Sequence, residues 1–242
     1  MAQYINGEFY RLIHKKSLYI YFGAVAVIYF IVAYIRSGGF TPDSVISDAI
    51  SFFNLLPALA GGVVFAAVYT DDLNSKNLIS LVGFGLSKAK IAVSKLILMI
   101  LICAAVFGLA PAFHCGVYGL FGFAAAAGDW AVVYAIALKF YLMAVAFAAL
   151  SGVAVYGAQR ATFAVVLFIL LAFNIISGLL AAVLNSFAPG LIKFFISGIS
   201  DRIIAGAAGG GFMIAPVIEY IIYVAAATAL SIFIFYKKEM EF

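Results

Sequence analysis

Six long apolar runs constrain this chain more than any other feature of its sequence. Each run exceeds about 18 residues, and about 20 helical residues cross the hydrocarbon core of a bilayer. The runs lack the ten-residue alternation of membrane β-barrel strands, so helices must satisfy the backbone hydrogen bonds in lipid. The sequence therefore predicts an all-α integral membrane protein with six transmembrane helices. The predicted spans are residues 18–35, 50–69, 91–113, 130–156, 161–187 and 212–236.

The composition agrees with a surface that mostly faces lipid. Of the 242 residues, 67% are hydrophobic and 10% are charged, whereas soluble domains carry roughly a quarter charged residues. The mean hydropathy is +1.20. The segments between the runs are too short for a nucleotide-binding domain of ordinary size. We therefore expect a single transmembrane domain over residues 1–242, with any energy supplied by a partner or an ion gradient.

The distribution of positive charge orients the predicted spans. Cytoplasmic loops carry the excess of Lys and Arg in membrane proteins, and an inside N-terminus places ten such residues inside and three outside. Both termini are therefore predicted to be cytoplasmic, and the net charge of +4 reflects this bias and indicates no nucleic acid. The inner residues are Arg11, Lys15, Lys16, Lys76, Lys88, Lys90, Lys95, Arg160, Lys237 and Lys238, and the outer ones are Arg36, Lys193 and Arg202.

An amphipathic stretch, residues 3–16, precedes the first span. Ile5, Phe9, Leu12 and Ile13 recur at helical spacing and form one apolar stripe. We expect an interfacial helix along the inner membrane surface. The alternative is a basic flank that only fixes the topology.

The inner loop after the second span contains another amphipathic stretch. Asp71 and Asp72 stand where a helix N-terminus favours negative charge. Leu78, Leu81 and Val82 form a short apolar face, and the glycines of the following GFG sequence end the helix. A short helix between two membrane helices has the form to dock into a groove on another protein. The alternative is a solvated loop with snorkelling lysines.

This loop carries a resemblance to a known family over residues 69–95. The order of an acidic pair, a polar-apolar helix, a glycine, Leu-Ser-Lys and a lysine entering the next span resembles the ABC-2 type permeases of ATP-binding-cassette transporters. The six spans, the inside termini and the interfacial helix are similar as well. Family members usually carry a glutamate for the acidic pair, Gly-Thr for Ser75 and Lys76, and often arginine for Lys88. The resemblance implies a bacterial permease subunit that exports peptides such as bacteriocins, or multiple drugs.

The resemblance also implies partners. Two ATPase subunits would bind ATP and Mg²⁺, and a second permease subunit, identical or homologous, would complete the transporter in the cytoplasmic membrane. No cofactor is expected on this chain, whose sequence has no GxxxxGK[ST] loop. The loop helix would transmit closure of the ATPase dimer to the spans. The positions implied for this coupling are Asp71, Asp72, Leu78, Leu81, Val82, Lys88 and Lys90.

Two ionisable residues fall inside predicted spans, where such groups are costly and often functional. At 1.5 Å per residue, Lys139 lies about 13 Å into the fourth span and Glu219 about 10 Å into the sixth, both in the outer half. They either pair with each other or line the outer part of a substrate path, and the alternative is an interfacial, snorkelling position. Asn174 and Ser177, one turn apart in the fifth span, are expected to form interhelical hydrogen bonds more readily than to bind substrate.

Small residues cluster in two stretches of the chain, LAGGVVFAAV in the second span and GFAAAAG before the fourth. Small side chains let helix backbones approach closely in membranes. We therefore expect tight helix packing at these stretches.

The scarcity of charge within the spans favours a large apolar or amphipathic cargo. The outer segment, residues 188–211, is too short and too charged to cross, so short outer helices are expected there. An ion-gradient-driven transporter or a channel is the first alternative. An intramembrane protease is the least favoured, because His14 and His114 both lie near span ends and no aspartate is central to a span.

Overall fold

The fold is helical throughout the residues that the computed structural model describes, 2–39, 41, 44–71, 77–122, 127–208 and 214–238. Every regular element in these ranges is a helix, which confirms the predicted all-α class. The main helices are α1 (Ala2–Ile13), α2 (Lys16–Arg36), α3 (Ser44–Thr70), α4 (Asn77–Gly83), α5 (Lys88–Leu120), α6 (Ala127–Ala158), α7 (Ala161–Ala172), α8 (Ile175–Phe187), α9 (Ile196–Ala208) and α10 (Ile214–Lys237).

Among the described residues, five helices are long and apolar enough to cross a membrane by themselves: α2, α3, α5, α6 and α10. A sixth span results when the bent pair of α7 and α8 is taken as one. These two helices meet at an angle of 55°. The run that the sequence predicted as one continuous span, residues 161–187, is therefore two helices with a sharp bend.

The first helix, α1, is separate from the first span and amphipathic. Lys15 is extended between them, with φ at −75° and ψ at 95°. Leu12 is only 1% exposed and Ile5 is partly buried against the core, whereas Tyr10 is 65% exposed. This division between a buried and an exposed face is the one expected of an interfacial helix.

The central helix is α6, which contacts α3, α5, α7, α9 and α10. Small side chains are buried on opposite sides of this helix, including Ala144, Ala146 and Ala148, each 0% exposed. Small residues allow several helices to pack around one axis. Large substitutions at these positions would therefore separate α6 from its neighbours.

The second span, α3, is irregular where it packs on α7. It contains two π-helical segments, Pro57–Gly61 and Ala66–Thr70. Pro57 has no backbone N–H, and its ring interferes with regular α-helical bonding. The rings of Phe65 and Phe168 stack with their centres 5.0 Å apart. The small-residue stretch of α3 thus lies at a close helix contact, as its sequence predicts.

The first span, α2, is loosely packed against the rest of the protein. Leu18 and Ala33 are its buried residues. Large side chains such as Ile20 and Ile35 are 73% and 75% exposed. Most of α2 therefore faces lipid or another surface rather than the core.

Candidate functional site

The inner loop between α3 and α5 contains a tight cap at the end of α4. The N–H of Gly85 donates to the carbonyl of Val82 (3.0 Å), and that of Leu86 donates to the carbonyl of Leu81 (3.1 Å). These two bonds form a Schellman motif, in which Gly85 is left-handed with φ at +85°. The chain therefore turns at a fixed point, and the residue before Gly85 is held at the tip of the loop.

The tip residue is Phe84, and its side chain faces away from the protein. It is 86% exposed, a high value for a large apolar side chain. Sequence reasoning treated the GFG sequence only as the end of a helix and did not single out Phe84. The signal was nevertheless present, because an aromatic residue between two glycines has no large neighbour along the chain to cover it.

The apolar face of α4 points towards the membrane helices. Leu78 is 3% exposed, and Leu81, Val82 and Leu86 are partly buried against the core. Leu78, Leu81 and Val82 are predicted to contact an ATPase, but Leu78 is covered by its own chain. Leu81 and Val82 are only partly buried, so their contact with an ATPase stays a prediction, and Phe84 is presented outward.

Charged residues of three segments meet in what we name the inner charge cluster: Glu8, Arg11, Lys15, Asp71 and Lys95. Asp71, directly after α3, accepts hydrogen bonds from Lys15 Nζ (2.7 Å) and Arg11 Nη1 (3.1 Å). Glu8 Oε2 accepts from Lys95 Nζ (2.7 Å) and Arg11 Nη2 (2.8 Å). Asp71, predicted to contact an ATPase, is thus bonded to α1 and its linker, while Asp72 lies outside the described residues.

Lys95 is the most buried member of the inner charge cluster. Its side chain is 2% exposed, and that of its partner Glu8 is 15% exposed. A buried ammonium group is tolerated only when it is paired. Its Nζ also lies 5.9 Å from the ring centre of Tyr4. The pair therefore attaches α1 to α5, which favours an integral interfacial helix over a basic flank that only fixes topology.

The two lysines at the start of α5 that are predicted to take part in ATPase coupling, Lys88 and Lys90, have different surroundings. Lys88 Nζ donates to the carbonyl of Lys238 (3.1 Å) and lies 5.3 Å from the ring centre of Phe235. Lys90 has an exposed side chain, and its backbone N–H donates to Ser87 Oγ (3.4 Å), which caps α5. Lys88 thus connects the loop to the end of α10, whereas the ammonium group of Lys90 is open to solvent.

The two charges predicted at membrane depth are each paired with the outer helix α9. Lys139 Nζ lies 2.6 Å from Asp201 Oδ1. Glu219 pairs with Arg202, whose Nη1 lies 3.3 Å from Glu219 Oε1. A direct pair between Lys139 and Glu219, one of the predicted alternatives, is therefore not the arrangement found. Consecutive residues of α9 neutralise both charges and connect α6 to α10.

The outer segment before α10 forms two short helices, a 3₁₀ helix over Pro189–Phe194 and α9. They are joined by a bond from Arg202 Nη2 to the carbonyl of Lys193 (3.0 Å). They also touch at Gly198, where a Cβ atom would lie 2.9 Å from that carbonyl oxygen. The close approach requires glycine at this position, so the two short helices form one compact outer unit.

Asn174 lies at the break between α7 and α8. Its φ is +56°, a left-handed conformation that Asn adopts more readily than most residues. Ser177 Oγ donates to Asn174 Oδ1 (3.1 Å). These two residues therefore bond to each other within the first turn of α8 rather than between helices. A contact of Asn174 with substrate stays a prediction.

The comparisons with known proteins address the same part of the chain. The model of a family described as ABC-2 family transporter protein matches residues 4–161, which include most of α1, all of α2 to α6, the inner loop and the inner charge cluster. No curated protein and no solved structure matches the chain. The matched region is more than half of the 242 residues. The chain therefore belongs to the ABC-2 family of transporter proteins, as a multi-pass membrane component that is not itself catalytic.

Proposed function

We propose that this chain is the membrane-spanning subunit of an ABC exporter in the bacterial cytoplasmic membrane, with both termini in the cytoplasm. Two separate ATPase subunits bind ATP and Mg²⁺, and a second permease subunit, identical or homologous, completes the complex. The observation that carries the proposal is Phe84, an exposed aromatic residue held by the Schellman motif at the end of α4. Membership of the ABC-2 family supports the same assignment.

Phe84 is suited to dock into an apolar groove of the ATPase. Fully burying a phenylalanine side chain contributes about 1.5–3 kcal/mol, and this side chain begins 86% exposed. The Schellman motif at Gly85 already orders the tip, so binding loses little conformational entropy. In the proposed complex, Phe84 is the anchor and the exposed side chain of Lys90 is a peripheral contact.

Three contacts at the inner face support a role of the loop in coupling. Buried Leu78 fixes α4 to the core, Lys88 bonds to the end of α10, and Asp71 bonds to α1. Movement of Phe84 during closure of the ATPase dimer therefore reaches α1, α3, α5 and α10 together. This is the coupling step of the proposed mechanism.

The proposed cargo is hydrophobic or amphipathic, such as a peptide of the bacteriocin type or a lipid-like drug. Lys139 and Glu219 are neutralised by Asp201 and Arg202, so neither presents a bare charge to a small ion. Charged groups at membrane depth are the usual binding elements of ion pathways. Their internal pairing favours apolar cargo over an ion or a sugar.

The proposal is tested by replacing Phe84 with aspartate. Co-expressed with the proposed ATPase subunit, the Phe84→Asp variant is expected to bind it about thirtyfold more weakly, since the lost burial is about 2 kcal/mol. The matched control is Phe187→Asp, because Phe187 is 84% exposed but stands at the end of α8, which the proposed topology puts on the opposite side of the membrane. ATP hydrolysis that depends on the permease should fall with binding in the first variant only.

Two results would count against this function. If Phe84→Asp binds and stimulates the ATPase as the unmodified chain does, the tip is not the docking contact. If the purified chain transports cargo on an ion gradient without any ATPase, the alternative of a secondary transporter gains support instead.

A further inference from the structure

A cavity of about 600 Å³ lies between α2 and α3. This volume is within the range of small-molecule sites in proteins, about 300–1,000 Å³. Its α2 wall is a continuous stripe at spacings of three and four residues, from Tyr21 through Ala24, Val25, Ile28 and Val32 to Arg36. The opposite wall belongs to α3 and includes Phe52, Leu55 and Leu59. The cavity is therefore a cleft that runs along two membrane helices.

Each end of this cleft is closed by a polar contact between its walls. At one end, Arg36 Nη1 lies 2.9 Å from Asp48 Oδ1, and Tyr118 donates to the same carboxylate. At the other end, Tyr21 donates from its hydroxyl to the carbonyl of Leu59 (3.1 Å). The distance from Tyr21 to Arg36 along α2 is about 22 Å at 1.5 Å per residue. That length exceeds the hydrocarbon depth of one leaflet, about 15 Å.

The polar side chains along the cleft are already bonded within the protein. Tyr29 donates from its hydroxyl to His114 Nδ1 (2.5 Å), because His114 Nε2 must donate to the carbonyl of Val45 (2.9 Å). Ser51 Oγ donates to the carbonyl of Ser47 (3.1 Å). A peptide in the cleft would bring N–H and C=O groups that these engaged side chains could not satisfy. An acyl chain brings none, so the walls favour it.

The end of the cleft at Arg36 differs from the rest of the cleft, because the guanidinium group of Arg36 is partly exposed. The Arg36 side chain is 57% exposed and the Asp48 side chain is 14% exposed. Both Asp48 oxygens are engaged, one by Arg36 and one by Tyr118. Among the described residues, Asp48 occupies only one nitrogen of the guanidinium group. Its remaining donors are suited to a phosphate, which arginine binds with charge-assisted hydrogen bonds.

We propose that this cleft binds one anionic glycerophospholipid, with its phosphate on Arg36 and one acyl chain between α2 and α3. The acyl chain moves from one apolar environment, the bilayer, to another, the cleft. The walls of the cleft therefore select the shape of the acyl chain, and Arg36 provides the preference for a negatively charged headgroup. A headgroup amine gains no partner, since the carboxylate of Asp48 is occupied. The site does not depend on the proposed ATPase partner. In the predicted orientation Arg36 is an outer residue, so the lipid would belong to the outer leaflet.

The experiment measures lipid retained by the full chain. The protein is reconstituted in bilayers of equal phosphatidylglycerol and phosphatidylcholine, extracted, and examined by native mass spectrometry. The unmodified chain should retain one phosphatidylglycerol. Filling the cleft from either wall, by Ile28→Trp or Leu55→Trp, should abolish retention. Val27→Trp is the matched control, because Val27 is 57% exposed on α2 but does not line the cleft.

The headgroup contact is tested separately. Arg36→Gln should lower the preference for phosphatidylglycerol about tenfold, as expected for one charge-assisted contact, and Arg36→Lys should restore part of it. Asp48→Asn breaks the ion pair but keeps the cation, so it should retain the lipid. Melting temperatures show whether any variant is unfolded. If the tryptophan variants are unfolded, the Arg36 variants test the proposal by themselves.

Three outcomes would overturn the proposal. Equal lipid loss in Val27→Trp and Ile28→Trp would indicate a general surface effect. Equal loss in Asp48→Asn and Arg36→Gln would indicate that the ion pair is only structural. A disulfide between two copies carrying Ile28→Cys would indicate that the cleft is covered by a second subunit.

Discussion

Lys95 is a charge that the sequence places at the entrance of a span and that the fold buries. The charge distribution predicts that Lys95 is an inner cation, but it does not reveal the partner of that lysine. That partner, Glu8, lies 87 positions away along the chain, and no local pattern connects the two. The spacing of α1 predicts which of its residues are polar, yet only the assembled structure shows which of them meets α5.

The first prediction concerns this pair. Glu8→Gln removes the carboxylate from a lysine that is 2% exposed, and breaking one side of a buried ion pair costs about 3 kcal/mol of unfolding free energy. Lys95→Met combined with Glu8→Gln should cost less than the sum of the single changes, because the buried charge has gone as well. Arg11→Gln, at a side chain 36% exposed, should cost about 1 kcal/mol or less. Denaturation in detergent measures all four proteins, and additive losses would show that the pair is not coupled.

The second prediction compares two adjacent glycines of α3. An added Cβ at Gly61 would lie 3.2 Å from Phe168 Cζ, whereas at Gly62 its nearest neighbour would be 3.8 Å away. Gly61→Ala should therefore destabilise the protein by about 1–3 kcal/mol relative to Gly62→Ala, since overpacking displaces an aromatic ring. The same denaturation assay measures the difference, and equal stability of the two variants would show that Phe168 moves freely. The sequence predicted tight packing in this stretch, but not which glycine makes the contact.

At the scale of elements, the bend between α7 and α8 is the largest departure from the sequence-based prediction. Hydropathy reports which residues prefer lipid and carries no information on the direction of the helix axis. The residues from 161 to 187 are apolar enough for one span, and the break depends on the left-handed backbone of Asn174. An Asn in an apolar run is the available signal. The same residue type also forms hydrogen bonds between membrane helices, so the sequence alone does not distinguish a break from such a bond.

The third prediction follows from this backbone conformation. Asn174→Gly keeps the left-handed region accessible and should preserve the 55° bend, whereas Asn174→Leu makes that region costly by about 1–2 kcal/mol and should straighten the span. Spin labels at Phe163 and Val183, both more than half exposed on α7 and α8, report the change as a longer distance in the leucine variant. The same distance in all three proteins would mean that tertiary packing, rather than Asn174, determines the bend.

The inner loop shows the same division between what a pattern predicts and what packing decides. The spacing of Leu78, Leu81 and Val82 predicts an amphipathic helix, and α4 is present where the sequence indicates it. The apolar face of a short amphipathic helix can pack against the core of its own chain or against a partner protein. The core is closer, so the apolar face is buried there and Phe84 is left outside.

Across the whole molecule, the features that depend on composition were predictable and those that depend on distant contacts were not. The all-helical class follows from the length of the apolar runs, and the family follows from their order together with the inner loop. The partners of Lys139 and Glu219 could not be predicted from the sequence. The spans place these two residues at similar depth, but α9 supplies their partners, Asp201 and Arg202. A charge at known depth has many possible partners, and topology selects among them.

The orientation of the whole molecule in the membrane leads to the last prediction. The excess of Lys and Arg predicts that the α4 loop lies in the cytoplasm and the end of α8 lies outside. Phe84 and Phe187 are 86% and 84% exposed, whereas the native Cys103 and Cys115 are 0% and 3% exposed, so an introduced cysteine should dominate labelling. In intact cells, a membrane-impermeant maleimide should label Phe187→Cys and spare Phe84→Cys. In inverted vesicles the pattern should reverse.

The reversed result would have a direct consequence for function. Labelling of Phe84→Cys in intact cells would place the tip of the α4 loop on the face that lacks ATP, so an ATPase could not reach it. Labelling of both positions from one side would mean that the bent pair of α7 and α8 turns back instead of crossing. The membrane would then be crossed five times, and the two termini would lie on opposite sides.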